Sequence, residues 1–270
     1  MSGLVPFAVL VSTVRALKGA TVVGDNITEA PLEEVETLLK ESGGEPVIAV
    51  YVGNEAADIQ GRDILESKQR LEIAFQIFLP ESTAVEIGGQ TVQLDTRGLA
   101  AEYVFASIWR QIMRALQDGT TPWSRRWNSF VMKVHQIVTH PFEFEIPGKI
   151  RGAAREVTMV VEAADEPQYG LAAPYPFWQD FIDGIRAEKD YGPTIADLLT
   201  ADITGPEVLP SWRIVQTSMG LSPEGARNLG FTPYDATETG EAPVLTGVTD
   251  EQVPDTSGEL TSPFAGLPAP

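Results

Sequence analysis

The 270-residue chain contains no cysteine, which excludes disulfides, thiol catalysis and cysteine-based zinc sites. Only two histidines are present, His135 and His140, so a histidine dyad or histidine-bound metal would have to use one of them. Basic residues are scarce: 19 Lys and Arg stand against 38 Asp and Glu, for a net charge of −19. The densest basic spot is the pair Arg125-Arg126. A nucleic-acid binder needs a basic patch to offset phosphate charge, so this balance argues against non-specific DNA binding and against docking on an anionic membrane. No run of 18 apolar residues is present to span a bilayer. The apolar N-terminus lacks a basic region before Val5 and reads as a first helix rather than a signal peptide.

What is present is a soluble composition, with 43% hydrophobic and 21% charged residues, and length enough for a substantial core. The clearest pattern is KQRLEIAFQIFLP, Lys68 to Pro80. Leu71, Ile73, Phe75, Ile77 and Leu79 alternate with Arg70, Glu72, Ala74 and Gln76, which predicts a half-buried strand. At roughly 1.5–3 kcal/mol per large apolar side chain, that face must be covered. Upstream, PVIAVY (Pro46 to Tyr51) predicts a second strand, joined to the first by a polar loop from Val52 to Ser67.

Around this nucleus the chain reads as a helix over Pro6–Lys18, a short strand at Thr21–Val23, and a helix over Pro31–Lys40. Gly88-Gly89 marks a small hairpin inserted between Glu81 and Gly98. Leu99 to Gln117 is the strongest amphipathic helix. Thr121 and Pro122 then open a helix whose apolar face carries Trp123, Trp127, Phe130, Val131 and Val134. Strands follow at Pro141–Ile146 and Arg155–Glu162. Beyond these lie helices at Phe177–Ile185 and Thr194–Ala201 and a strand at Trp212–Gln216. From Asn228 onward there are six prolines, seven acids and no Lys or Arg. Such a composition cannot bury enough apolar surface to order itself, and it reads as an extended arm that binds partners.

Candidate chemistry is thin. Glu55, Asp58, Asp63 and Glu66 offer oxygen ligands, but their spacing matches no calcium loop and Arg62 and Lys68 stand among them; a solvated loop explains them. His135 and His140 flank an apolar turn with no serine or carboxylate in a recognisable motif. Trp123, Arg125, Arg126 and Trp127 have the makings of a base-stacking site, yet tryptophans four apart on a helix read first as a core pair. Gly43-Gly44 and Gly88-Gly89 lack a phosphate-loop context, and GLSPEG at 220–225 is no nucleophile elbow. The expectation is a non-enzymatic protein without metal or cofactor.

The order of elements carries a resemblance. TVVGDNI, PLEEVETLLK, PVIAVYVGNEA, QRLEIAFQIFLPE, LAAEYVFASIWRQIMRAL and REVTMVVEAADEPQYG follow one another between residues 4 and 170. This region resembles the tail terminator proteins of long-tailed bacteriophages, most tellingly in the apolar strand that runs through a tyrosine into an acidic stretch and in the alternating strand after it. The chain departs from that pattern in the 81–98 insertion and in the extra residues at its C-terminus. The resemblance implies an α+β fold, a mixed β-sheet flanked by amphipathic helices. It divides the chain into a terminator-like domain (1–170), a helical extension (171–230) and an acidic Pro-rich arm (231–270).

It further implies a homohexameric ring that caps the tail tube, ends its polymerisation and joins the tail to the head connector or a head-completion protein, with sheath or collar proteins as further contacts. Genome DNA would pass through the lumen without specific binding, and the protein would reside in the virion neck after assembly in the host cytoplasm. The alternatives are another neck or tail component, a metal-dependent hydrolase built on the Glu55–Glu66 loop, or a monomeric acidic binding module. Interface residues expected from spacing are Arg70, Glu72, Gln76, Val85, Ile87, Val92, Leu94, Trp178, Phe181, Trp212, Phe231 and Phe264.

Overall fold

A computed structural model describes residues 3–29, 45–59, 67–80, 82–87, 90–95, 98–142, 152–168, 170–189 and 192–205. The chain divides into two compact units, 1–220 and 221–270, and every described residue belongs to the first. In order, the elements are α1 (Leu4–Leu17), β1 (Ile27–Thr28), β2 (Val47–Ile59), β3 (Ser67–Pro80), β4 (Ser82–Ile87), β5 (Gln90–Asp95), α2 (Leu99–Gln117), α3 (Pro122–Phe130), β6 (Val131–Phe142), β7 (Gly152–Ala163), α4 (Pro176–Arg186) and α5 (Gly192–Thr204). This is the expected α+β fold.

The main sheet has the order β1-β2-β3-β7-β6, and β4 with β5 forms the separate hairpin that Gly88-Gly89 announced. β1 is parallel to β2, while β2, β3, β7 and β6 alternate in direction. The alternating strand β3 lies at the centre. Leu71, Ile73, Phe75, Ile77 and Leu79 point toward the helices, as the contact of the Phe75 ring with Trp109 of α2 shows (centroids 5.5 Å apart). The other face of β3 departs from expectation. Ala74, Gln76 and Phe78 are also buried, so from Ile73 to Pro80 the strand is covered on both sides. Alternation records side-chain polarity; it does not record what a second layer covers.

Helix α1 is apolar around nearly its whole circumference and is buried accordingly, from Val5 to Leu17. No side chain of its own caps its N-terminus. Glu166, beyond β7, supplies that cap instead. Its carboxylate accepts the N–H groups of Leu4 (3.0 Å) and Val5 (3.1 Å), together with Gln69 Nε2 (3.0 Å). Gly3 makes the approach possible, because a Cβ there would lie 1.9 Å from Glu166 Oε1.

Helix α3 begins at the expected cap. Thr121 Oγ1 accepts the Ser124 N–H and Pro122 occupies the first turn. It ends earlier than its apolar pattern suggests, since Val131 and Val134 belong to β6. The apolar residues of α3 and α4 meet in an aromatic cluster, with Phe130 at 4.8 Å from Trp178 and 5.4 Å from both Phe177 and Phe181. Phe7 of α1 and Trp123 of α3 reach the same Phe181 ring.

Thr21–Val23, expected as a strand, is a turn; the short strand falls at Ile27–Thr28. β2 continues to Ile59, so Glu55 and Asp58 lie in a strand rather than in a loop. His135 and His140 sit on β6, not beside a turn. Leu99 and Tyr103 of α2 are 87% and 56% exposed, leaving its buried stripe to Ala101, Val104, Phe105, Ile108, Ile112 and Leu116. The predicted helix at Pro31–Lys40, the strand at Trp212–Gln216 and the 231–270 arm lie outside the described residues.

Candidate functional site

The feature that sets this fold apart from a closed domain is its sheet margin. β6 pairs with β7 alone and leaves its other edge open among the described residues. Two bulges, between Val131 and Lys133 and between Val134 and Gln136, interrupt its first half; from Gln136 to Phe142 the pairing is regular. Ile137 opposes Met159 on the helix side of the sheet, yet it is 44% exposed, and Met132 is 57% exposed. The helical layer therefore stops short of β6. A long strand with an open edge and exposed apolar side chains is a surface that recruits another strand.

The residues of β6 also break with the chain's acidity. Lys133, His135 and His140 are its titratable groups, and it has no Asp or Glu. His135 Nε2 lies 3.1 Å from Glu162 Oε2 of β7.

On the sheet face away from the helices, three strands contribute a polar cluster. Tyr51 Oη donates to Glu156 Oε2 (2.9 Å), and Gln76 Nε2 donates to the same oxygen (2.8 Å). Burial first, and then the hydrogen bond to the Glu156 carboxylate, push the Tyr51 phenol up to about 12. A phenol that resists ionisation beside a carboxylate is a structural tie, since it offers neither a base nor a nucleophile near neutral pH. Facing the helices, Arg155 lies over the Phe105 ring (4.5 Å) and donates to Glu102 of α2. That hydrogen bond holds the Glu102 carboxyl below its ordinary value.

An open groove of about 470 Å³ lies between the end of α1 and the α2–α3 junction, lined by Gly19, Thr21, Val22, Gln111, Arg114 and Thr121 among others. Gln111 Oε1 is engaged there by the Val22 N–H (2.7 Å). Among the described residues, no group of three or more His, Asp and Glu is placed to hold a metal ion.

The predicted interface residues are distributed unevenly. Arg70 is exposed and Glu72 half-buried on β3. Gln76 is buried in the polar cluster, and Trp178 and Phe181 are fully buried in the aromatic cluster, so these three are corrected from surface to interior. The helical spacing that aligned Trp178 with Phe181 marks a core stripe. Val85, Ile87, Val92 and Leu94 fall on the β4–β5 hairpin, whose side chains lie outside the described set, as do Trp212, Phe231 and Phe264.

The Trp123–Trp127 pair does not form a stacking platform. Trp127 is buried, and Arg126 covers Trp123 (4.5 Å) while pairing with Asp180 (3.0 Å). Gly184 permits that arrangement, because a Cβ there would lie 2.5 Å from the guanidinium. The residues that sequence reasoning missed are Met132 and Ile137. The signal for them was the acid-free stretch 131–142 in an acidic chain. No protein-family model matches the chain, and no curated protein matches it significantly.

Proposed function

We propose that this chain is a structural virion subunit of the tail terminator type, a non-enzymatic protein that assembles as a homohexameric ring on the phage tail tube. The observation that carries the reading is the β6 margin, unpaired on its outer edge among the described residues, with Met132 and Ile137 exposed along it. A ring subunit needs such a surface, because a closed ring is built from heterologous contacts between two different patches. The mixed sheet with helices against one face agrees with what the resemblance over residues 4–170 implies.

In this reading the ring stops polymerisation of the tube and presents its other face to the head connector or a head-completion protein. The net charge of −19, repeated around a ring, gives the lumen a use. An acidic wall repels the DNA backbone and lets the genome pass without sticking, an idea that a lumen lined by Lys and Arg would sink. Distant repulsion between subunits is screened over a Debye length of about 8 Å at physiological salt.

The test is the mass of the purified protein by light scattering at low and moderate salt, with negative-stain images alongside. Closed rings of six are the expected result; a monomer at the highest soluble concentration, with no rings on the grid, overturns the reading.

A further inference from the structure

The main sheet has a second open margin. β1 covers β2 only at Ile48 and Ala49, and among the described residues no strand pairs with β2 beyond them. Beyond Ala49, β2 forms one margin of the described sheet and β6 the other, and the alternation through β3 and β7 makes them run in opposite directions. A second copy set beside β6 so that the sheet continues in the same sense brings its own β2 antiparallel to β6. That is the more stable kind of pairing.

The charges agree with it. β6 carries Lys133 and no acid, whereas β2 carries Glu55 and Asp58 and no base. The lengths agree as well. β6 has 12 residues, and the part of β2 beyond its pairing with β1 among the described residues runs from Val50 to Ile59 with one bulge between Gly53 and Ala56, each on the order of 30–40 Å at about 3.4 Å per residue.

We propose that the occupant of the β6 margin is the β2 margin of a second copy of this chain, joined head to tail into a continuous sheet. This rests on the ring reading and specifies its subunit contact. A symmetric pairing of β6 with β6 is the competing arrangement. It stops at a dimer and joins two strands that each carry Lys133 and no acid, whereas the head-to-tail contact leaves a free margin at each end for the next copy until the ring closes.

The absence of cysteine makes the test clean. Gly53→Cys on β2 and Gln136→Cys on β6 introduce the only thiols. A Cβ at Gly53 meets only the Tyr51 ring at 3.9 Å, an ordinary contact, and Gln136 is exposed, so both variants should melt like the parent. The proteins are treated with a short bismaleimide and run on denaturing gels, and the parent's mass is measured by light scattering. The double variant is expected to give a ladder of dimers and higher species while each single variant runs as a monomer. Lys133→Gln, which removes the charge without setting a second carboxylate opposite Glu162, should lower the linked fraction several-fold at low salt in the double-cysteine background. Dimers from Gln136→Cys alone would overturn the proposal in favour of symmetric pairing. No linkage in any variant, with the parent still a ring, overturns the margin contact and leaves the ring reading standing. A parent that is monomeric at the highest soluble concentration overturns both.

Discussion

β3 and β6 are strands of similar length in one sheet, 14 and 12 residues, and they live in opposite surroundings. β3 is paired along both edges and buried on both faces over its second half; β6 is paired along one edge and exposed over most of its length. Both are rich in apolar residues, so composition alone does not separate them. The separation lies in what each strand's neighbours supply. A strand surrounded by partners specifies the fold, and a strand that retains apolar residues without partners is available to specify an assembly.

The comparison is broken most severely from the centre. Phe75→Ala is expected to cost about 3–5 kcal/mol, because it empties a site closed by the sheet and by Trp109. Ile137→Ala on β6 should cost less than about 1 kcal/mol in the isolated chain, where its side chain already meets water. Urea midpoints measure both, and equal losses would mean that β6 is covered in solution. Next in size is the cap of α1. Glu166→Ala should destabilise by about 1–2 kcal/mol. Gly3→Ala displaces the same carboxylate, so the two losses should fail to add in a double variant.

The polar tie on the far face gives a smaller, pH-dependent effect. Because the Tyr51 phenol is held up to about 12 against an ordinary value of 10.0, the folded chain binds that proton more tightly than the unfolded chain does. Its contribution is present in full below pH 10 and is lost as the pH rises toward 12. Tyr51→Phe should therefore flatten the decline of urea midpoints between those values, by an amount reduced by solvent screening. Smallest of all is Lys133→Gln, which sets no like charge opposite Glu162 of β7 and should leave the stability of the single chain within about 0.5 kcal/mol. An appreciable loss there would show that Lys133 serves the fold and not the margin.

How much of this was legible depended on whether a pattern was local. The alternation of Leu71 to Leu79, the Thr121-Pro122 cap, the Gly88-Gly89 hairpin and the α4 stripe each express themselves within a few residues, and each was placed correctly. The α3–β6 boundary was missed because Phe130, Val131 and Val134 continue a helical spacing into a strand. What switches the backbone is the pairing of Val131 with Ala163 and Val134 with Val161, contacts thirty residues or so away. Gln76, Trp178 and Phe181 were misplaced as surface for a related reason. Polarity and spacing say which side chains share a face, whereas burial depends on layers that distant segments contribute. The margin itself left only a compositional trace, the want of acids between Val131 and Phe142.

The Glu166 clasp on α1 has a consequence for the order in which the molecule is made. Helix α1 is apolar on nearly every side, but the carboxylate that satisfies its orphan N–H groups is separated from Leu4 by 162 positions and is translated later. Its cover of α3 and its cap therefore arrive only when most of the sheet-forming chain has been synthesised. During that interval the nascent chain carries a sticky helix with no home, the kind of exposed apolar segment that chaperones shield. Such long-range closure also slows folding relative to a chain built from local contacts. Within this chain, α1 is translated well before the carboxylate that caps it.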